Sequence, residues 1–229
     1  MVSKMIEIVE REYEVTEGLK IVLSNVNGYI RIKGYDGNTI KMKAEKKWGL
    51  LAPEPKVKVK KEGNVLKIEA KHKKTFGISL GGSSVNFDIL VPKTVEVEKV
   101  GSVNGRISIS NVNGVLRVGN VNGAIELENV EVSKVGNVNG PIKAVLKAVR
   151  NDVKISTVNG SIKILLPKNI DAEILASTTN GRISAEGFEN VKTSLAGTFG
   201  PKSFSAQLGS GKYSVKLSTV NGSIEIRLI

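Results

Sequence analysis

One short motif governs what this chain can become. Asn-Gly occurs as Asn27-Gly28, Asn104-Gly105, Asn113-Gly114, Asn122-Gly123, Asn139-Gly140, Asn159-Gly160, Asn180-Gly181 and Asn221-Gly222, preceded by Val in seven copies and by Thr179 in the other. Two places before each Asn stands a small polar residue: Asn25, Ser102, Asn111, Asn120, Asn137, Thr157, Thr178 or Thr219. Three and five places after it, all sixteen positions are apolar, from Ile30 and Ile32 to Ile224 and Ile226, and the residue between them is polar in every copy. Alternation of period two after a Gly-containing turn is the signature of a half-buried strand, and Asn and Gly are the residues that best tolerate positive φ. The chain therefore starts a half-buried strand from the same turn eight times.

A meander of hairpins is one arrangement that meets this pattern. A solenoid meets it better, because nine residues make about one strand plus a corner, and the spacings of 17, 20, 21 and 41 lie near two or four such units. Stacked coils about 4.8 Å apart would merge the aliphatic pairs into one core and let corner Asn side chains form ladders. The expected fold class is all-β, a β-solenoid of the single-stranded β-helix or β-roll type with Asn-Gly corners and little or no helix. No segment has a helical period. "ILVPKTVEVEKVGSVNGRI" from Ile89 echoes "ILLPKNIDAEILASTTNGRI" from Ile164, and Pro92 and Pro167 should end strands, where a missing N–H does least harm. We read 1–229 as one continuous β-repeat domain, less regular over 1–84 and regular over 85–229. The last segment, "SIEIRLI", has no polar cap and leaves a pairing edge through which a second copy could join.

The recurring V-N-G-x-I unit, the "LVPK" and "LLPKN" junctions and the closing "LGSGKYSVKLSTVNGSIEI" resemble bacterial and archaeal β-strand-repeat domains known as candidate adhesins, a family of unknown function. The resemblance covers nearly the whole chain, most strongly from about residue 85 onward. It implies a β-solenoid, in some relatives attached to membrane segments and associated with the cell envelope. It supplies no catalytic residues to transfer.

Several chemistries are disfavoured by composition. There is no Cys, so disulfides and thiolate metal sites are excluded. Neither a signal-peptide run nor a bilayer-length apolar stretch is present, and the chain as given reads as cytoplasmic, with envelope association implied only by the resemblance. Calcium-binding nonapeptide rolls place Asp in each repeat; here the four Asp, at 36, 88, 152 and 171, all lie outside the repeat turns, so calcium is not expected. His72 is the single histidine, which removes the usual triads and His-based metal sites, and "EAKHKK" reads as solvated surface. Glu96 with Glu98, and Glu126 with Glu128, have a spacing that could suit a general acid and base, but among lysines they read as solvated charge. "AGTFGPKS" and "LGSGKYS" lack phosphate-loop spacing, and "NGS" at 159 and 221 lies in tight turns. No catalytic residue, metal site or cofactor site is assigned, and the chain is read as a non-enzyme.

What remains is charge. The formal net charge is +12, which favours polyanionic partners, although a Lys- and Glu-rich, Cys-free surface is also typical of proteins from hot environments. Between residues 38 and 74 twelve lysines face four glutamates. "KVKVKK" sets Lys56, Lys58 and Lys60 on one strand face with Val57 and Val59 on the other; Lys71, Lys73 and Lys74 follow, with Phe76 and Trp48 nearby. These six lysines are the candidate anion-binding patch. The expected function is a rigid, non-enzymatic scaffold of adhesin type, presenting an extended surface to a protein or an anionic envelope polymer. The alternative is binding of nucleic acid, anionic lipid or glycan through residues 38–74.

Overall fold

The computed structural model describes residues 4–50, 52–72, 82–189, 193–196 and 200–229. Every regular element among these residues is a β-strand, twenty in all. They form two compact units, 1–114 and 115–229.

The first unit contains β1 (Lys4–Glu14), β2 (Lys20–Ser24), β3 (Ile30–Tyr35), β4 (Thr39–Gly49), β5 (Lys56–Glu62), β6 (Val65–Lys71), β7 (Ser83–Pro92), β8 (Glu96–Gly101) and β9 (Ile107–Ser110). At every Asn-Gly turn but the one at Asn113, the strand that runs into the turn lies in one sheet, the approach sheet, and the strand that leaves it lies in another, the exit sheet. The approach sheet has the order β5-β6-β2-β8, and the exit sheet β1-β4-β7-β3-β9. The β6-β2-β8 and β7-β3-β9 neighbours are parallel, while β5, β4 and β1 add antiparallel strands at one side. The pair β2 and β3 comes first among the three pairs in sequence, yet it is the middle rung of the parallel stack.

The second unit contains β10 (Val115–Gly119), β11 (Ile125–Gly136), β12 (Ile142–Leu146), β13 (Val153–Asn159), β14 (Ile162–Leu166), β15 (Ala172–Asn180), β16 (Ile183–Glu186), β17 (Thr193–Ala196), β18 (Lys202–Leu208), β19 (Tyr213–Asn221) and β20 (Ile224–Leu228). β11 serves both sheets. Its first half pairs with β12, its second half with β10 and β13, and Asn129 turns between them at φ 53°. The approach sheet runs β10-β11-β13-β19-β15-β18-β17 and the exit sheet β11-β12-β14-β20-β16, parallel except where β18 and β17 fold back.

This order corrects one expectation. The open edge foreseen at "SIEIRLI" is absent, because β20 is hydrogen-bonded to β14 on one side and β16 on the other. The 41 residues between Asn180 and Asn221 include the β17–β18 excursion, after which the chain re-enters between existing rungs. Spacing along the sequence records how much chain separates two rungs. It does not record their stacking order.

The inward residues of the alternating pattern make the core. Ile30, Ile32, Ile107, Ile109, Ile162, Ile164, Ile224 and Ile226 are all at most 1% exposed, and each contributes about 1.5–3 kcal/mol by leaving water. Val85, Phe87, Val97 and Val100 fill the same interior in the first unit. At the outermost exit rung, β16, Ile183 and Ala185 remain half-buried, since they have a neighbour on one side only. Pro92 is the last residue of β7 and Pro167 follows β14 directly, as expected of strand ends.

The residue two before the Asn is buried in seven of the eight copies. Its side chain ties rungs together through glycine carbonyls: Asn137 Nδ2 donates to the Gly123 and Gly140 oxygens at 2.7 and 3.0 Å, Thr219 Oγ1 to Gly160 at 2.9 Å and Thr178 Oγ1 to Gly222 at 2.8 Å. A carbonyl left inside without a donor would cost about 1–3 kcal/mol. This small polar row is therefore structural.

Candidate functional site

The outer Asn side chains of the second unit form a continuous ladder. Asn139 Nδ2 donates to Asn122 Oδ1 at 2.9 Å, Asn159 to Asn139 at 2.9 Å, Asn221 to Asn159 at 2.8 Å and Asn180 to Asn221 at 2.8 Å. In the first unit Asn104 donates to Asn27 at 2.9 Å, and Asn27 continues to the Ser83 carbonyl at 3.1 Å. Asn113 stands apart from this row. It bridges Glu96, at the end of β8 remote from Asn104, and its side chain reaches the Lys93 carbonyl. Seven of the eight motifs thus join an approach strand to an exit strand, and the one at 113 does different work.

The lysine patch can be placed residue by residue. On β5, Lys56, Lys58 and Lys60 are exposed while Val57 and Val59 are half-buried, so the two faces divide as expected. Antiparallel pairing puts Lys56 opposite Lys71, Lys58 opposite Glu69 and Lys60 opposite Lys67. Lys67 belongs to the patch and the sequence reading missed it, although its outward parity on β6 was the available signal. Lys71 is already paired with Glu69 at 3.3 Å. Lys73, Lys74 and Phe76 lie outside the described residues.

The sequence count of twelve lysines overstates the free charge. On β4, Lys41 meets Glu12 at 3.7 Å, Lys43 meets Glu10 at 3.3 Å and Lys47 meets Glu45 at 2.9 Å. Lys46 is buried between Glu7, at 2.8 Å, and Glu54. Burial pulls the Lys46 ammonium down, but the hydrogen bonds it donates to Glu54 and Glu7 outweigh this and leave its pKa raised. Glu45 is on β4 itself, but the other acids come from β1 and from the loop after β4, so for Lys41, Lys43 and Lys46 only the tertiary structure shows the neutralisation. Trp48 is on the exit sheet, half-buried on the inward side of β4 with the Lys46 ammonium 5.6 Å from its ring centre. It does not join Lys56, Lys58 and Lys60 on the outer face of the approach sheet.

On the exit sheet of the first unit a shallow groove of about 530 Å³ is lined by Glu10, Glu12, Arg31, Lys41, Lys43 and Asp88, among others. Its charges compensate one another: Arg31 meets Asp88 at 2.8 Å, and Tyr29 donates to Asp88 at 2.7 Å, a bond that helps push the phenol up to about 12. Glu96 pairs with Lys20 at 3.3 Å. His72 departs from the solvated reading: it is half-buried, with Nδ1 2.8 Å from Ser83 Oγ, and burial lowers its pKa. The polar residues around it on β6 and β7 gave no hint of that, because their approach is tertiary. Asp171, held low by the Lys212 N–H and the Ser210 hydroxyl, fixes the "LGSGK" turn and leaves it no phosphate-loop role.

Strands stacked in parallel rungs, with turns that repeat in register, define a β-solenoid-like repeat domain. The chain belongs to the Toastrack DUF4097 family, whose sequence profile matches residues 94–227. Among solved structures it resembles a candidate cell adhesion protein from Clostridium sporogenes, with 17% identity, a TM-score of 0.52, and 97% of this chain and 100% of that one covered. A candidate adhesin from Bacteroides fragilis shares 15% identity at a TM-score of 0.35, covering 96% and 97% of the two chains. One from Parabacteroides merdae shares 9% identity at 0.30, covering 97% and 96%. No curated protein sequence matches the chain. Among the described residues no helix is long and apolar enough to cross a membrane.

Proposed function

We propose that this protein is a non-catalytic β-solenoid scaffold of adhesin type, in which the Asn-Gly pairs are the corners of a wound ribbon and the outward residues form the working surface. The observation that carries this reading is the in-register Asn ladder from Asn122 through Asn139, Asn159 and Asn221 to Asn180. Turns locked to one another fix every outward side chain at rung spacing, about 4.8 Å. A surface ordered before it meets its partner loses little conformational entropy on binding. The partner class is a protein or an anionic polymer of the cell envelope. Sedimentation of the purified chain with isolated bacterial cell-wall polymer tests it: saturable binding by the folded chain, abolished by heat unfolding, is expected. Absence of saturable binding to wall polymer and to intact cells would remove the reading.

A second reading is favoured by one observation, the shared outward face of Lys56, Lys58, Lys60 and Lys67. It makes the first unit a general polyanion binder. Glu69 and the Lys71–Glu69 pair lie within that face and reduce its field. Retention on heparin at low salt, lost on replacing Lys56, Lys58 and Lys60 together by Gln, would support it.

A further inference from the structure

We propose that the outer face of the approach sheet in the second unit is a binding track for an extended, carboxylate-bearing glycan. This rests on the scaffold reading and names its face and ligand class. Five residues before the corner Asn stand Arg117 on β10, Lys134 on β11, Lys154 on β13 and Lys216 on β19. The parallel register sets Arg117 against Lys134, Lys134 against Lys154 and Lys154 against Lys216. At one rung each, the four cations span about 14 Å. All four are exposed, and Lys134, Lys154 and Lys216 have no ion-pair partner among the described residues.

Like charges directly opposite one another weaken a sheet. The matching row of the exit sheet in the same unit holds one like pair, Lys143 opposite Lys163, and flanks it with acids: Glu126 faces Lys143, and Lys163 meets Glu225 at 2.5 Å. The approach sheet carries a same-sign row through four successive rungs. A bound polyanion would relieve that repulsion.

The neighbouring rows say where it would lie. Toward the corner runs a floor of Gly119, Gly136, Ser156, Ser218 and Ser177, with nothing larger than a hydroxyl. Beyond it Val121, Val138, Val158 and Val220 form an aliphatic ridge, 37–42% exposed, beside the Asn ladder. On the other side of the cations stand Glu131, Asp152 and Glu173, which would repel an anion. Lys154, Lys216, Ser177 and Ser218 line a groove of about 450 Å³ on this strip. A ligand confined there meets cations along one flank, hydroxyls beneath and C–H surface along the other. One pyranose of an extended glycan is close to one rung in length, so the carboxylates that a uronic-acid chain turns toward this flank fall in step with the cation row. Its hydroxyls find Ser and Asn, and its ring C–H groups find Val. Single-stranded nucleic acid needs aromatic platforms for its bases; these rows hold none, and Phe204, which lines the groove, is buried.

The test is calorimetric titration of the full chain with oligogalacturonate, with its methyl ester, and with a single-stranded oligonucleotide. Binding of the acid alone is expected, weakening with salt. Replacing Lys134, Lys154 and Lys216 together by Gln should lower affinity at least a hundredfold and reduce the salt slope by about one for each lysine removed. Lys154→Glu keeps the proposal testable if the triple variant folds poorly. It places a carboxylate between two lysines, so affinity should fall at least tenfold while the melting temperature holds or rises. Equal binding of the ester, tighter binding of the oligonucleotide, or unchanged affinity in both variants would overturn the track. Wall-polymer binding that survives in the triple variant would sink the track and leave the scaffold reading standing; loss of all wall-polymer binding in the unaltered chain would sink both.

Discussion

Gly222→Ala should damage this protein far more than a methyl group normally does. A Cβ at that position would lie 1.9 Å from the Gly160 carbonyl oxygen and 2.5 Å from its carbon, both backbone atoms of the adjacent rung. Ordinary contact begins near 3.4 Å, so the rungs must part by about 1.5 Å at this turn. The other side offers no relief, because the Gly222 oxygen already accepts from Thr178 and the Gly222 N–H donates to Asn180 at 3.0 Å. Overpacking costs about 1–3 kcal/mol. Strain on the Gly160 N–H to Asn221 bond, the Gly222 N–H to Asn180 bond and the Thr219 hydroxyl bond to Gly160 removes about 1 kcal/mol each. Against this, Ala restricts the unfolded chain and returns about 0.4–1 kcal/mol. The net loss is about 3–5 kcal/mol, which for a chain of this size lowers the melting temperature by roughly 6–20 °C. Gly119→Ala is the control. It lies in the same unit, at the end of β10, with no atom within 4 Å of the added carbon, and should melt at or slightly above the wild-type temperature. Thermal melts followed by far-ultraviolet circular dichroism, with urea midpoints alongside, decide the matter. Equal melting of the two variants would refute the claim that backbone contact between the glycines of adjacent turns limits how far the rungs can part.

Two further outcomes follow from the same framework. Removing residues 213–229 takes out an interior rung whose buried Val215, Leu217, Ile224, Ile226 and Leu228 contribute about 8–15 kcal/mol, as much as a whole domain's stability; limited proteolysis should find the second unit unprotected, whereas a protected core ending at β16 would refute the interleaved order. His72, whose pKa burial holds below its ordinary value of about 6.5, is neutral in the fold and takes a proton more readily when unfolded. Its contribution is complete above about pH 6.5 and is lost as pH falls below it; urea midpoints should therefore drop more steeply toward about pH 5 in the wild type than in His72→Gln, and parallel curves would contradict this.

Much of this could be read from the residues alone, for a definite reason. Alternation after Asn-Gly reports which way each side chain points in its own strand, a local property, so the aliphatic core and the outward lysines of β5 were legible. The seven equivalent motifs and their ladder followed from the same local repetition. The odd motif at Asn113 did not, because its four residues are the same and only its bridge to Glu96 differs. The neutralisation of Lys41, Lys43 and Lys46 was hidden for a similar reason: their acids are mostly on β1, more than thirty residues away along the chain for Lys46 and Glu7.

By itself the sequence determined the rung: its length, its inner and outer faces, and the Asn-Gly turn that opens it, while the close backbone approach of the turn glycines is tertiary. Tertiary structure alone decided the order of the rungs, setting β2–β3 and β19–β20 inside their stacks, and with it the row that joins Lys154 to Lys216 across sixty-two residues of chain. The reason is physical. Rungs built from one repeated motif offer nearly the same edge to any neighbour, so local pattern leaves their order undetermined until the antiparallel excursions and the length of the connections select one.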